Sequence, residues 1–182
     1  MSKRSLLVGF VAAVVVQALI LVAVPARKVY TLRTGKTVVL KIQPVDPYNI
    51  LSGYYATLGF DISRVDAFPN AHNLTNESSA GFADGSWCYA VIEKGGDGIW
   101  KPVSLERELP ANLPENRAAL LGRINGNWIK YGIEDFYIPE AKRSHLADDL
   151  REHRDKARVE VKVDPSGHAA LERLMVEDRI YE

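Results

Sequence analysis

The N-terminal part of the chain carries one long uninterrupted hydrophobic run, Leu6–Val24. Its nineteen residues are mostly Val, Leu and Ala, and Gln17 is the one clearly polar side chain among them. As an α-helix this run would be roughly 28 Å long, close to the thickness of the hydrocarbon core of a bilayer. The pattern therefore predicts a transmembrane helix that contacts membrane lipid through Leu6–Val24.

A cleaved signal peptide is the alternative interpretation of this run. Signal peptides have a shorter apolar core, about 7–15 residues, followed by a small-residue cleavage site. Val24-Pro25-Ala26 would serve as such a site, but the length of the run favours an anchor that is retained. We therefore expect residues 1–26 to form a short tail and a signal-anchor, and residues 27–182 to form one domain.

The basic residues that flank the run leave its orientation open. Lys3 and Arg4 precede it and Arg27 and Lys28 follow it, so the positive-inside rule is nearly balanced. The tail of five residues before the run favours a cytoplasmic N-terminus. On this basis the domain is expected to lie outside the cytoplasm of a single-pass membrane protein.

Beyond the run, polar and apolar residues alternate in short segments, as half-buried strands require. In Thr37–Gln43, for example, Val38, Leu40 and Ile42 fall on one face. Further strands are predicted at Tyr54–Ser63, Trp87–Glu93, Ile99–Leu105, Leu120–Ile124, Asn127–Tyr131, Ile133–Ile138 and Arg158–Val163. Residues 64–85 are predicted to be a long exposed loop.

Turn residues connect several of these segments. Gly95-Gly96-Asp97-Gly98 and Asn125-Gly126 each predict a hairpin. Asp164-Pro165-Ser166-Gly167 predicts a turn after the strand Arg158–Val163. A charged helix is predicted from Pro139 to about Arg154, with residues 146 and 150 as its apolar stripe, and residues 168–181 fit either a short helix or a strand before an edge strand. The prediction is a mainly β protein (β-rich α+β): an N-terminal transmembrane helix, then a small antiparallel barrel or sandwich with one or two peripheral helices.

The composition of the domain limits the kinds of partner it would bind. The chain has 23 basic and 23 acidic residues, and Lys3 and Arg4 are the only charged residues among the first 26, so the domain carries 21 basic and 23 acidic residues. A charge near −2 without a basic stripe argues against nucleic acid. The single cysteine, Cys88, lies in an apolar segment and is expected to be a buried thiol.

Acidic residues near turns are the candidates for catalysis. Asp46 precedes Pro47, where an Asp carboxylate usually accepts backbone hydrogen bonds. Glu134 and Glu140 flank the segment that ends at Pro139, and Glu140 would be stabilised by a helix N-terminus. If the two segments met in space, Asp46, Glu134 and Glu140 would provide an acid–base pair. The alternative function is therefore a hydrolase.

A metal site is the other chemistry that the spacing allows. His145, Asp149 and His153 recur every four residues and would share one side of the predicted helix. Their charged neighbours favour a solvated, salt-bridged face instead. No phosphate-binding loop, zinc-protease motif or paired-cysteine motif is present, so no cofactor is expected.

Aromatic residues cluster on the two predicted hairpins and the strand after them. Core packing would explain most of them, and any that are exposed would suit binding of a sugar or a peptide. The cluster comprises Trp87, Tyr89, Trp100, Trp128, Tyr131, Phe136 and Tyr137.

Three blocks of sequence resemble the GDYXXLXY domain family. The first comprises Tyr30-Thr-Leu-Arg-Thr-Gly35-Lys-Thr-Val-Val-Leu40, Pro44-Val-Asp46-Pro47 and Gly53-Tyr-Tyr55-Ala-Thr-Leu58-Gly-Phe60. In the last of these, Tyr54 stands for the Asp of the family motif and Phe60 for its final Tyr. The second is Tyr131-Gly132-Ile-Glu134-Asp-Phe136-Tyr-Ile-Pro139-Glu140, and the third is Val159–Val163 with Gly167–Leu171. Because Tyr54 has no carboxylate, the motif is interpreted as structural, with packed aromatic side chains.

The resemblance implies an architecture rather than an activity. The chain resembles a bacterial group of proteins that have an N-terminal hydrophobic segment and a domain outside the cytoplasm. That family has no assigned reaction. We therefore predict a non-enzymatic accessory or binding module that meets a membrane or envelope partner. That setting also allows another integral membrane protein as the partner.

Overall fold

The computed structural model describes residues 3–43, 51–52, 55–71, 82–137 and 139–181. Two helices and twelve strands are present in these ranges. The helices are α1 (Lys3–Thr34) and α2 (Glu140–Glu152). The strands are β1 (Lys36–Gln43), β2 (Leu51–Ser52), β3 (Tyr55–Thr57), β4 (Gly59–Phe60), β5 (Trp87–Lys94), β6 (Trp100–Glu106), β7 (Arg117–Asn125), β8 (Trp128–Lys130), β9 (Asp135–Tyr137), β10 (Ala157–Val163), β11 (Ala169–Val176) and β12 (Arg179–Tyr181).

Helix α1 contains the whole predicted span and continues well past it. It is the one helix in the described ranges that is long and apolar enough to cross a membrane. Pro25 lies inside it, and the helix ends at Thr34, ten residues after Val24. The segment that leaves the apolar run is therefore helical up to the first strand of the domain.

The described strands form three antiparallel sheets. One has the order β12-β11-β10-β1-β4, the second β2-β3-β9, and the third β6-β5-β7-β8. The β-rich prediction is confirmed, and the described strands do not close into a barrel. One hydrophobic core joins the sheets, since it includes Val38 and Val159 from the first, Phe136 from the second and Leu120 from the third.

Local sequence signals account for most of these elements. The alternation in β1 places Val38, Leu40 and Ile42 in the core, as predicted. Both predicted hairpins form, with β5 paired to β6 and β7 paired to β8. Helix α2 begins after Pro139 and buries Leu146 and Leu150, which confirms the predicted apolar stripe.

Two predictions about residues 54–85 were wrong. The predicted strand Tyr54–Ser63 is broken into β3 and β4, and a 3-10 turn covers Asp61–Ser63. The first part of the predicted exposed loop is also structured, with a second 3-10 turn at Val65–Ala67 and a fully buried Phe68. Long-range packing, which a local pattern does not encode, orders this segment. In the ambiguous C-terminal region, β11 and β12 are both strands.

Candidate functional site

The last turns of α1 are docked on the domain. Thr31 is 2% exposed, and its Oγ1 donates a hydrogen bond of 2.8 Å to Oδ2 of the buried Asp164. One helical turn earlier, Arg27 Nη2 donates to the imidazole of His168, with 2.5 Å between Nη2 and Nε2. These two contacts fix α1 against the turn between β10 and β11.

The Asp164 carboxylate holds this turn together from inside. Its Oδ1 accepts hydrogen bonds from the backbone N–H groups of Ser166 (2.9 Å) and His168 (3.0 Å), while its Oδ2 accepts one from the Thr31 hydroxyl. Gly35 allows the close approach, because a Cβ there would lie 2.5 Å from the Thr31 carbonyl oxygen and 2.9 Å from Val163 N. We call these contacts of Arg27, Thr31, Gly35, Asp164 and His168 the anchor junction.

The two family-like blocks of sequence meet in the β3–β9 ladder. Ala56 pairs with Phe136 and Thr57 with Asp135, and Leu58 N donates to the Glu134 carbonyl at 2.7 Å. Of the motif residues, Leu58, Phe60, Tyr131 and Phe136 are buried, Gly132 adopts φ 77°, and Pro139 is exposed. Tyr55 lies in β3, whereas Asp46, Pro47, Gly53 and Tyr54 lie outside the described residues.

The Glu134 carboxylate closes a tight turn. Its Oε1 accepts from Tyr131 N at 2.6 Å and its Oε2 from Gly132 N at 2.9 Å. Both oxygens of this candidate catalytic acid are thus engaged by backbone N–H groups. Glu140 is exposed at the first residue of α2, and its catalytic role with Asp46 stays a hypothesis.

The segment that follows β4 is bonded to β8 and to the residues directly before and after it. The Tyr131 hydroxyl donates to the carbonyl oxygen of Ile62 at 2.5 Å. Val65 N donates to the Asn127 carbonyl at 3.0 Å, and Arg64 forms a β-bridge with Trp128. Burial, together with Cys88 and Glu134, raises the pKa of the Tyr131 phenol well above its usual range, so this hydroxyl is a donor at every physiological pH.

Cys88 is fully buried beside this cluster, as predicted. Burial raises the pKa of its thiol to about 11. A thiol with such a pKa carries very little thiolate at neutral pH, and the thiolate is the nucleophilic form. The position therefore fits packing rather than covalent chemistry.

The predicted histidine series on α2 is divided between different surroundings. Asp149 accepts hydrogen bonds from Arg179 Nη1 and the Tyr181 hydroxyl, each at 2.5 Å, and these contacts lower the pKa of its carboxyl, with Tyr181 the larger cause. His145 is exposed, and His153 lies 3.4 Å from the Glu177 carboxylate. Within the described ranges, no group of three or more His, Cys, Asp or Glu side chains is placed to hold a metal ion.

The aromatic cluster separates into core and surface residues. Trp100, Tyr131 and Phe136 are buried, and Tyr89 is half-buried. The strongly exposed members are Trp87, Trp128 and Tyr137.

A model of one protein family matches the chain over residues 17–174, and its description is GDYXXLXY protein. The match covers most of the chain. The chain belongs to the GDYXXLXY family. No curated protein and no solved structure shows a significant match to the chain. The GDYXXLXY match begins inside α1 and ends inside β11, so it takes in the anchor junction as well as the β3–β9 ladder.

Sequence reasoning found the turn at Asp164–Gly167 but not its role in the junction. Thr31 and Gly35 lie in the family-like block Tyr30–Leu40, but no sequence pattern linked Thr31 to Asp164, which is 133 residues away.

Proposed function

We propose that this GDYXXLXY protein is a single-pass membrane protein whose β domain acts outside the cytoplasm as a non-enzymatic accessory or binding module. The observation that carries the proposal is the continuity of α1 from the apolar run to the anchor junction. A helix without a flexible linker holds the domain at a set orientation to the membrane. Such an arrangement suits a module that presents a surface to a partner in the envelope.

The contacts of Glu134 support a structural role for the family motif. A general acid or base needs an oxygen that reaches the substrate, whereas both Glu134 oxygens accept backbone hydrogen bonds. The buried Leu58 and Phe60 likewise serve packing. These features favour a binding module over the hydrolase alternative.

Membrane fractionation and protease accessibility test the anchoring and its direction. We expect the full-length chain to stay in the membrane pellet after alkaline carbonate extraction and to be degraded by protease added outside intact spheroplasts. Release of a soluble chain that begins near Arg27 would contradict the anchor. Protection from external protease would contradict the orientation.

Substitution of the candidate acids tests the non-enzymatic role. A binding module should retain its crosslinked partner in cells after Glu140→Gln, because this side chain is exposed and lies outside the core. Glu134→Gln should lower thermal stability but leave the same crosslinked product. Loss of cellular function by orders of magnitude in a folded Glu140→Gln variant would favour the hydrolase instead.

A further inference from the structure

We propose that the outer face of the β6-β5-β7-β8 sheet binds an anionic glycan, with sugar rings on two tryptophans and an acidic group between them. The proposal names the ligand class of the binding module proposed above and rests on that function. The face is defined by Trp87, Arg123, Asn125, Trp128 and Lys130, and we call it the Trp–Arg face.

Strand pairing places these five side chains on one surface. Trp87 pairs with Arg123 across β5 and β7, and Arg123 pairs with Lys130 across β7 and β8. Directly paired residues share a face of an antiparallel sheet. Asn125 pairs with Trp128 one row further along, and residues two apart on a strand also share a face.

The opposite face of the same strands belongs to the core. Cys88, Ile124 and Ile129, which alternate with these residues, are buried. Trp87 is 61% exposed and Trp128 is 50% exposed. The two indoles are therefore directed to solvent although tryptophan is usually well covered in folded domains.

Both tryptophans pair with residues that line a cationic cleft, Trp87 with Arg123 and Trp128 with Asn125. Strand spacing puts their Cα atoms about 12 Å apart, two strands and one row from each other. The cleft has a volume of about 340 Å³ and is lined by Asp84, Gly85, Arg123, Ile124, Asn125 and Lys130, and not by the tryptophans themselves. Arg123 and Lys130 give this cleft its positive charge.

Backbone and side-chain hydrogen bonds shape the cleft before any ligand binds. Arg123 Nε donates to the Gly85 carbonyl at 3.0 Å, which directs the guanidinium across the strand. Gly85 N donates to the Ile124 carbonyl at 2.8 Å, and Asp84 Oδ1 accepts from Gly126 N at 2.8 Å. The acidic residue of the cleft thus already has a partner, and a preformed site loses less entropy on binding.

The chemistry of this face selects an anionic ring compound. Indole rings provide flat apolar surfaces with a polar edge, which suit stacking against the faces of sugar rings. Guanidinium and ammonium groups recognise a carboxylate or phosphate. The near-neutral charge of the whole chain argues against nucleic acid as the occupant.

A glycan-binding measurement on the full-length chain in detergent tests the proposal. The probes are oligogalacturonate and a panel of other acidic glycans, with neutral galactose oligomers of equal length as controls. We expect acidic glycans to bind in preference to neutral ones, with quenching of the exposed tryptophan emission and weaker binding at high salt. An absence of acidic binding above the neutral controls would overturn the proposal.

Variants on the face separate stacking from charge. Trp128→Ala should weaken binding about tenfold, as loss of an aromatic anchor does, and Trp128→Phe should retain most of it. Lys130→Ala should reduce acidic binding about two- to fivefold, whereas Lys94→Ala, at the other end of β5, should have no effect. Equal effects of Lys130→Ala and Lys94→Ala would assign the binding to general charge and refute the site.

Carbonate extraction and glycan binding test the two proposals independently. A chain that stays in the membrane but binds no acidic glycan contradicts only the Trp–Arg face. A chain that binds acidic glycans but is released by carbonate contradicts only the membrane anchor.

Discussion

The hydrogen bond between Thr31 and Asp164 is the contact through which we expect α1 to control the stability of the domain. Thr31→Val removes the hydroxyl and keeps the shape of the side chain. Asp164→Ala removes the acceptor of three hydrogen bonds, from Thr31 Oγ1, Ser166 N and His168 N. The first change tests one contact and the second tests the whole turn.

The structure sets the expected magnitudes. A hydrogen bond to a charged group contributes about 1.5–3 kcal/mol, and Thr31→Val leaves Asp164 its two backbone donors, so we expect a loss of about 1–2 kcal/mol. Asp164→Ala leaves the buried Thr31 hydroxyl without its acceptor and opens the turn, for a loss of about 3–4 kcal/mol. In the Asp164→Ala background, Thr31→Val should cost almost nothing, because the partner is gone.

Urea unfolding in detergent micelles, followed by tryptophan fluorescence, measures these free energies. Trypsin cleavage after Arg27, Lys28 and Arg33 reports release of the helix end. Thr34→Val is the matched control, since Thr34 Oγ1 donates at 2.9 Å to Tyr30 O of its own helix and is exposed. Equal losses for Thr31→Val and Thr34→Val, or fully additive losses in the double variant, would refute the anchor junction.

Three further predictions concern the core beside β8. Gly122→Ala should cost about 1–3 kcal/mol, because the added Cβ would lie 2.9 Å from Tyr131 Cε1, whereas Gly96→Ala meets no atom within 4 Å and should be neutral in the same urea assay. Tyr131→Phe leaves the buried Ile62 carbonyl without its donor and should lower the unfolding free energy by about 1–2 kcal/mol. Burial raises the pKa of the Cys88 thiol from 9.0 to about 11. The stability that the buried neutral thiol contributes is therefore complete below pH 9 and is lost as the pH rises towards 11. Melting curves of Cys88→Ala, recorded between pH 8 and pH 11, should lack this alkaline loss.

Local sequence patterns predicted the elements that depend on neighbouring residues. The hairpin turn at Asn125-Gly126 forms because Gly126 can adopt φ 59°. The strand β1 follows from strict alternation, which fixes the buried face without knowledge of the partner strand. The charged helix α2 was found from Pro139 and its narrow apolar stripe, Leu146 and Leu150.

Features that depend on distant residues were not predictable in this way. The break in the predicted strand Tyr54–Ser63 depends on a residue 69 positions away. The Tyr131 hydroxyl donates to the Ile62 carbonyl oxygen, which a continuous strand would use in a backbone hydrogen bond to its neighbour. The extension of α1 past Pro25 likewise follows from docking on Asp164. The exposure of Trp87 and Trp128 depends on sheet order, which no single segment encodes.

The family motif lies between the anchor junction and the Trp–Arg face. β1 leaves the anchor junction at Lys36 and, about 20 Å later, pairs Ile42 with Phe60 of the motif. The chain then turns at Asp61–Ser63 and is clamped to β8, where Arg64 bridges Trp128. A continuous set of packed and hydrogen-bonded strands therefore connects α1 to the exposed tryptophans. Loss of packing at Phe60 should disturb that face without any change in the residues that form it, which is the behaviour expected of a structural motif and not of a catalytic one.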